Sequence, residues 1–119
     1  MKQLIYAVTF YLFGVSAFTP VVSYADPGGS CHFHGSKPAT ESTILKCANQ
    51  RKDHLVKSGK LDKSWSSIKH SAIAIVDGQK GKEWKVSFAN LDAPDTTKTN
   101  LFMFFTLPGN FIAANHTGQ

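Results

Sequence analysis

The segment from Leu101 to Leu107 constrains the fold more than any other part of the sequence, because it is apolar on both faces of an extended strand. Side chains that alternate along a strand point to opposite faces of a sheet. One face here carries Leu101, Met103, Phe105 and Leu107, and the other carries Phe102 and Phe104. Strands of this kind are normally central and covered on both sides. We therefore expect this segment to lie inside a sheet rather than at its edge.

A helix is predicted before this strand, from Glu41 to about Ser58. Thr40 can cap it, Glu41 suits the positive end of the helix dipole, and Gly59 can end it in a left-handed conformation. At about 100° per residue the apolar side chains form one stripe, which consists of Ile44, Leu45, Ala48, Leu55 and Val56. Lys52 interrupts the stripe, and we expect its stem to follow the edge of the core while its ammonium reaches water.

Alternating apolar residues predict further strands at 72–76 and 84–88, and a Pro-Gly turn leads from the central strand into a last one at 111–114. Asp62 is expected to cap a short helical turn that brings Trp65 against the core. The expected fold is α+β, with one N-terminal helix packed on an antiparallel sheet of about four strands. A single helix covers only one face. The other face, with Phe102 and Phe104, must meet a partner, a second copy of the chain, the residues before the helix, or water.

The first 25 residues have the features of a secretory signal peptide. Lys2 gives a positive start, residues 4–18 are mostly apolar, and Ser23 and Ala25 are small residues at the two positions that determine cleavage. We expect cleavage after Ala25 and a periplasmic or secreted protein. Two alternatives are an uncut membrane anchor, which a proline inside the segment disfavours, and a lipid on Cys31, which lacks an apolar residue three positions earlier.

Cleavage would remove 25 of the 119 residues and the charge of Lys2, so that 94 residues with a net charge of +4 remain. This length suits one domain. Residues 26–39 are rich in glycine, proline and serine without an apolar period, and we interpret them as a flexible arm before an α+β domain at 40–119. The charges are interspersed and no nucleic-acid-binding motif is present, so neither nucleic acid nor, after cleavage, a membrane is an expected partner.

The arm carries the sequence Cys31-His32-x-His34, and the only other cysteine is Cys47 on the predicted helix. In an oxidising compartment two cysteines most simply pair. A bridge across about 17 residues would stabilise the fold by roughly 3 kcal/mol and hold the arm against the helix. A disulfide is therefore one interpretation of Cys31 and Cys47.

Metal binding is the alternative interpretation of the same residues. In an extended arm His32 and His34 project to one side, and two neutral imidazoles are a partial site for copper or zinc. Cys31 and Cys47, if reduced, would complete a set of four ligands. A disulfide that positions the arm while His32 and His34 bind an ion is a third possibility, so the sequence leaves these alternatives open.

Catalysis is not expected from this sequence. No serine or cysteine lies in the glycine-flanked turn of a hydrolase, and no pair of carboxylates shares an obvious site. Neither cysteine belongs to a Cys-x-x-Cys pair, which argues against a disulfide oxidoreductase. We therefore predict a protein that is not an enzyme and has no catalytic residues.

Four stretches of the chain resemble a family of small exported bacterial proteins. They are Leu55-Val56-x-x-Gly59-Lys60-Leu61-Asp62-x-Ser64-Trp65, Glu83-Trp84-x-Val86-x-Phe88, Leu101 to Leu107, and Ala113-Ala114-Asn115-x-Thr117-Gly118. That family is a domain of unknown function whose members often carry a histidine-rich arm. The resemblance implies an exported domain and transfers no activity. The order of helix and strands is also similar to PepSY-type domains, some of which restrain peptidases, and this similarity implies a binding role.

Two hypotheses of function follow. The first is an exported binding module that takes copper or zinc through His32 and His34, with or without Cys31 and Cys47. The second is a protein-interaction or peptidase-inhibitory domain that uses the sheet face around Phe102 and Phe104. Its partner would be another exported protein or a second copy of the chain.

Overall fold

The computed structural model describes residues 31–119, which form one helix, one short 3-10 turn and four strands. In chain order these are α1 (Glu41–Lys57), the 3-10 turn (Lys63–Ser67), β1 (His70–Gly78), β2 (Gly81–Ala89), β3 (Asn100–Thr106) and β4 (Phe111–Asn115). The strands pair antiparallel in the order β1-β2-β3-β4. The predicted α+β fold is confirmed. The predicted signal peptide and the first five residues of the predicted arm lie outside the described residues.

The helix begins and ends as its capping residues predict. Thr40 has an extended backbone, and its hydroxyl oxygen accepts a hydrogen bond from the Thr43 N–H at 3.3 Å. Gly59 follows the helix with φ of +81°, and its N–H donates to the Val56 carbonyl at 3.1 Å. The helix ends at Lys57, one residue before the predicted end. Within residues 31–119, no helix is both long enough and apolar enough to cross a bilayer.

The core lies between α1 and one face of the sheet. Ile44 and Ala48 of the predicted stripe are fully buried, and β2 and β3 contribute the alternating residues Trp84, Val86, Phe88, Leu101, Met103 and Phe105. Strand β3 is central, as its two apolar faces predict. Trp65 is also buried, so its predicted role in packing is confirmed. Cys47 belongs to this core, although helical spacing predicts it on the flank of the stripe.

The prediction that the Lys52 ammonium reaches water is wrong. The side chain is only 2 % exposed. Its Nζ donates to the carbonyl oxygens of Trp65 at 2.8 Å and Ser66 at 3.1 Å, and it lies 3.3 Å from an Asp53 carboxylate oxygen. These carbonyls belong to the last residues of the 3-10 turn, where a positive charge is favourable. Tertiary contact with that turn therefore holds a charge that helical spacing places at the edge of the core.

The described part of the arm, residues 31–39, is attached to the domain at several points. The Phe33 N–H donates to Asn110 Oδ1 at 2.7 Å, and Asn110 Nδ2 donates back to the Phe33 carbonyl at 2.8 Å. The Ala39 N–H donates to the Leu107 carbonyl at 2.8 Å. The Phe33 ring packs against the core and against the backbone of Gly109. The local sequence, which has no apolar period here, does not predict these contacts.

Candidate functional site

The sheet face opposite α1, which we call the open face, is the first candidate site. Its centre is a row of directly opposed residues across all four strands, Ala74, Lys85, Phe104 and Ala113. They alternate with the core residues of the same strands, so they point away from the helix. Lys85 is thus the one charged residue in this row, and its neighbours in the row are apolar.

A cavity of about 1170 Å³ lies along this face. Its lining includes Val76 of β1, Lys85 of β2, Phe104 of β3, and Ile112 and Ala113 of β4. Four further charged residues that line it, Asp77, Lys80, Lys82 and Glu83, belong to the hairpin formed by β1, β2 and their connecting turn. Apolar side chains and charged side chains of both signs therefore share the lining of the cavity.

Phe102 and Phe104, the predicted interaction residues, share the open face, but neither ring is exposed. Phe104 is 8 % exposed, whereas Phe102 is half-buried. The Lys85 ammonium lies 4.8 Å from the centre of the Phe102 ring and 5.9 Å from that of Phe104, within reach of cation–π attraction. The lysine side chain therefore lies over both rings.

Sequence reasoning missed two residues of this face, Lys85 and Ile112. Ile112 is 44 % exposed, which makes it the most accessible large apolar residue of the cavity. The sequence could have predicted the face to which Lys85 points. Lys85 lies between the core residues Trp84 and Val86 on one strand, so its side chain must point to the other face. No such prediction is possible for Ile112, because the pairing of β3 with β4 shifts register beside it, between Phe104 and Phe105.

The end of the chain borders the open face. The Asn115 side-chain oxygen accepts hydrogen bonds from the Thr117 N–H at 3.1 Å and the Gly118 N–H at 2.7 Å, which turns the chain after β4. Gly118, with φ of +80°, then packs beside Lys85 and Phe102. A Cβ at this glycine would lie 3.2 Å from Lys85 Nζ and 3.4 Å from the Phe102 ring.

The second candidate site is the arm with its two cysteines and two histidines. Cys31 and Cys47 form a disulfide, with their Cα atoms 5.8 Å apart. The disulfide interpretation of these residues is therefore confirmed. In this oxidised form they offer no thiolates, so the four-ligand set of two cysteines and two histidines is not assembled.

His32 and His34 are exposed, and their ring centres lie 5.1 Å apart. Within residues 31–119, no three histidine, cysteine, aspartate or glutamate side chains are grouped so that they could hold a metal ion. His54 and His70 are exposed elsewhere, and His116 Nδ1 lies 2.6 Å from the Asn100 carbonyl oxygen. The arm therefore presents two neighbouring imidazoles without a third ligand from the described residues.

Three aspartates have perturbed acidities, and each serves a turn. A hydrogen bond from the Ser64 side chain, followed by one from its N–H, lowers the pKa of Asp62 at the start of the 3-10 turn. Hydrogen bonding to Lys82 lowers the pKa of Asp77, and hydrogen bonding to the Thr97 hydroxyl lowers that of Asp95. These carboxylates are held ionised as structural acceptors.

Comparison with known proteins gives a family but no characterised relative. No curated protein matches the chain, and no solved structure matches it. The model of a family of unknown function, DUF6488, matches residues 1–119. Because that match spans the whole sequence, the chain belongs to the DUF6488 family.

Proposed function

We propose that this protein is a non-enzymatic binding module whose open face takes an apolar peptide segment that carries a carboxylate, supplied by another exported protein. The observation that carries the proposal is the cavity of about 1170 Å³ on the sheet face that α1 does not cover. Sites for small molecules usually enclose about 300–1,000 Å³. A larger, open cavity whose lining includes Val76, Phe104 and Ile112 suits a stretch of polypeptide with apolar side chains.

The charge of the face indicates the chemistry of the occupant. Lys85 is half-buried beside the Phe102 and Phe104 rings, whereas Lys82 of the same cavity is already paired with Asp77 at 2.7 Å. A carboxylate of the bound segment would meet Lys85 in an environment less polar than water, where ionic hydrogen bonds are stronger. Ile112 and Val76 would contact the apolar side chains on either side of that group.

The test uses the protein recovered after export of the full chain and a defined probe. The probe is a synthetic eight-residue peptide rich in leucine and alanine, with either a free or an amidated carboxyl terminus. In NMR titrations we expect shifts at Lys85, Phe104 and Ile112, and a loss of affinity on amidation of about tenfold. Binding of both peptides with equal affinity would contradict the role of Lys85.

A matched pair of variants locates the binding surface. Ile112→Asp puts a charge into the cavity, whereas Leu91→Asp makes the same change at a residue that is 89 % exposed in the loop between β2 and β3. We expect Ile112→Asp to abolish binding and Leu91→Asp to leave it unchanged. If both variants bind the peptide like the unmodified protein, the open face is not the site.

Export and inhibition of a peptidase are further parts of this proposal. The leader-like first 25 residues support export, and the disulfide suits an oxidising compartment. The intact mass of the exported protein should correspond to a chain that begins at Asp26 and resists thiol alkylation. An uncleaved product with two reactive thiols would contradict export.

Inhibition would be tested by adding the protein to peptidases from the same compartment, with the Ile112→Asp variant as the control.

Copper or zinc binding at the arm is a second candidate function, supported by the 5.1 Å separation of the His32 and His34 rings. The disulfide at Cys31 holds this pair close to the domain. Calorimetric titration with Cu²⁺ and Zn²⁺ should give weaker binding for the double variant His32→Ala, His34→Ala. A variant at the exposed His54 of α1, His54→Ala, is the control. Equal affinities in all three proteins would exclude the arm as the site.

A further inference from the structure

Two residues of β2, Glu83 and Lys85, put opposite charges on the open face. They lie two positions apart on one strand and flank the core residue Trp84, so both side chains point away from the core. Both residues line the cavity, and both are half-buried. The cavity therefore offers an anion as well as the cation that the proposed function uses.

The charges of Glu83 and Lys85 are not neutralised within the part of the chain that the structure describes. Neither residue belongs to the two ion pairs found within residues 31–119. Lys82, the cation next to Glu83 in sequence, already binds Asp77 at 2.7 Å. Lys85 lies over aromatic rings and not beside a carboxylate. Each of the two charges is thus available to an opposite charge on a bound molecule.

The two side chains extend toward opposite ends of the cavity. A Cβ built on Gly78 would coincide with the carboxyl group of Glu83, so this group lies beside the turn between β1 and β2. The Lys85 ammonium lies 4.8 Å from the centre of the Phe102 ring, and a Cβ on Gly118 would be 3.2 Å from it. The anion and the cation therefore mark the two ends of the site.

The pairing register gives the separation of these charges along β2. Gly78, beside the carboxyl group, lies opposite Gly81. Phe102 and Phe104, the rings near the ammonium, lie opposite residues 87 and 85. The two charges are therefore four to six residues apart along the strand, which corresponds to about 13–20 Å at 3.3 Å per residue.

We propose that the segment bound on the open face carries a charge at each end, with its carboxylate at Lys85 and a basic side chain at Glu83. This inference rests on the proposed function and adds the direction in which the segment lies. Val76 and Phe104 lie in the rows between the two charges, where they contact the apolar middle of the segment. In an extended segment, a basic residue four to six positions before the carboxylate spans the distance. The reversed direction puts like charges together, which is unfavourable.

Titration of the exported protein with matched peptides tests this arrangement. The probes are acetylated eight-residue peptides of leucine and alanine with a free carboxyl terminus, which carry lysine at position 3, glutamine at position 3, or lysine at position 7. We expect the peptide with lysine at position 3 to bind about three- to tenfold more tightly than the glutamine peptide. Lysine at position 7 is too close to the carboxylate to reach Glu83, so that peptide should bind no more tightly than the glutamine peptide.

Variants of the protein assign this preference to one side chain. Glu83→Gln removes the charge and keeps the shape, so it should abolish the preference for lysine and leave the affinity for the glutamine peptide unchanged. Glu41→Gln, the same change at an exposed residue of α1, should keep the preference. Glu83→Lys should instead prefer a peptide with glutamate at position 3, and circular dichroism checks that this variant folds.

The outcomes separate this inference from the proposed function. Equal affinities for lysine and glutamine at position 3, with binding still weakened by amidation of the carboxyl terminus, would overturn the role of Glu83 and leave the proposed function standing. Equal affinities for lysine at positions 3 and 7, or a preference for lysine that survives in Glu83→Gln, would also overturn it. A protein that binds none of the peptides would overturn both.

Discussion

At the scale of single residues, Lys52 shows how a charge is held inside the domain. Its ammonium donates to the carbonyls of Trp65 and Ser66 at the end of the 3-10 turn. Lys52→Met would keep the apolar stem but leave both carbonyls without this donor. We expect a loss of about 1–3 kcal/mol in the free energy of unfolding, measured with urea.

The exposed Lys57 of α1 provides the control for this prediction. Lys57→Met removes the same charge from the same helix, and we expect it to change stability by less than about 0.5 kcal/mol. Equal effects of the two substitutions would show that the buried hydrogen bonds of Lys52 contribute nothing.

Gly109 is the second residue with a specific structural role. Its φ is +117°, and a Cβ there would lie 2.8 Å from the Phe33 ring. Gly109→Ala should therefore add backbone strain of about 1–3 kcal/mol and displace Phe33 from the domain. Hydrogen exchange reports the displacement, because the Phe33 N–H is bonded to Asn110 Oδ1.

Gly81 separates the two effects in that prediction. Its φ is +129°, and no atom lies within 4 Å of the position that a Cβ would occupy. Gly81→Ala should thus show the strain without the clash, and it should leave the Phe33 amide protected. If Gly109→Ala also leaves the Phe33 amide protected, the position of the Phe33 ring does not depend on a glycine at residue 109.

At the scale of elements, the hairpin of β1 and β2 carries a pH-dependent contact. Lys82 Nζ donates to an Asp77 carboxylate oxygen at 2.7 Å, and this hydrogen bond lowers the pKa of Asp77 below its ordinary value of 3.8. Because the folded pKa is the lower one, the contact stabilises the hairpin above pH 3.8 and is lost as the pH falls through the folded value. We expect Lys82→Gln to raise the pKa of Asp77 in a carboxyl NMR titration.

Asp95 is the control in that titration. Its pKa is lowered mainly by the Thr97 hydroxyl and not by Lys82. It should titrate at the same pH in both proteins. An Asp77 pKa that does not move in the Lys82→Gln variant would contradict the assigned cause.

The elements were largely predictable because their signals are local. Thr40 and Gly59 mark the ends of α1, and Asp62 caps the 3-10 turn by accepting from the Ser64 N–H at 2.9 Å. The two apolar faces of residues 101–107 predict a central strand, and β3 is central. Pairing partners and register were less accessible, since they depend on residues distant in sequence.

At the scale of the whole molecule, the disulfide is the covalent link between the arm and the domain. It joins Cys31 to Cys47 across a separation of 16 residues, and Cys47 is buried. Reduction should cost about 3 kcal/mol of stability, measured by urea unfolding with and without a dithiol reductant. The double variant Cys31→Ser, Cys47→Ala should match the reduced protein and show no response to reductant. Equal stability of the oxidised and reduced protein would contradict this role.

The sequence by itself determined the helix, the strands and the α+β class, because capping residues and apolar alternation act over a few positions. It also singled out the cysteines, the histidines of the arm and the apolar second face of β3, but left their roles open. Tertiary structure alone decided that Cys31 bonds Cys47, that Asn110 holds Phe33, and that Lys85 lies over the open-face rings. Each of these contacts joins groups from separate elements, and their distance is set only when helix and sheet pack together.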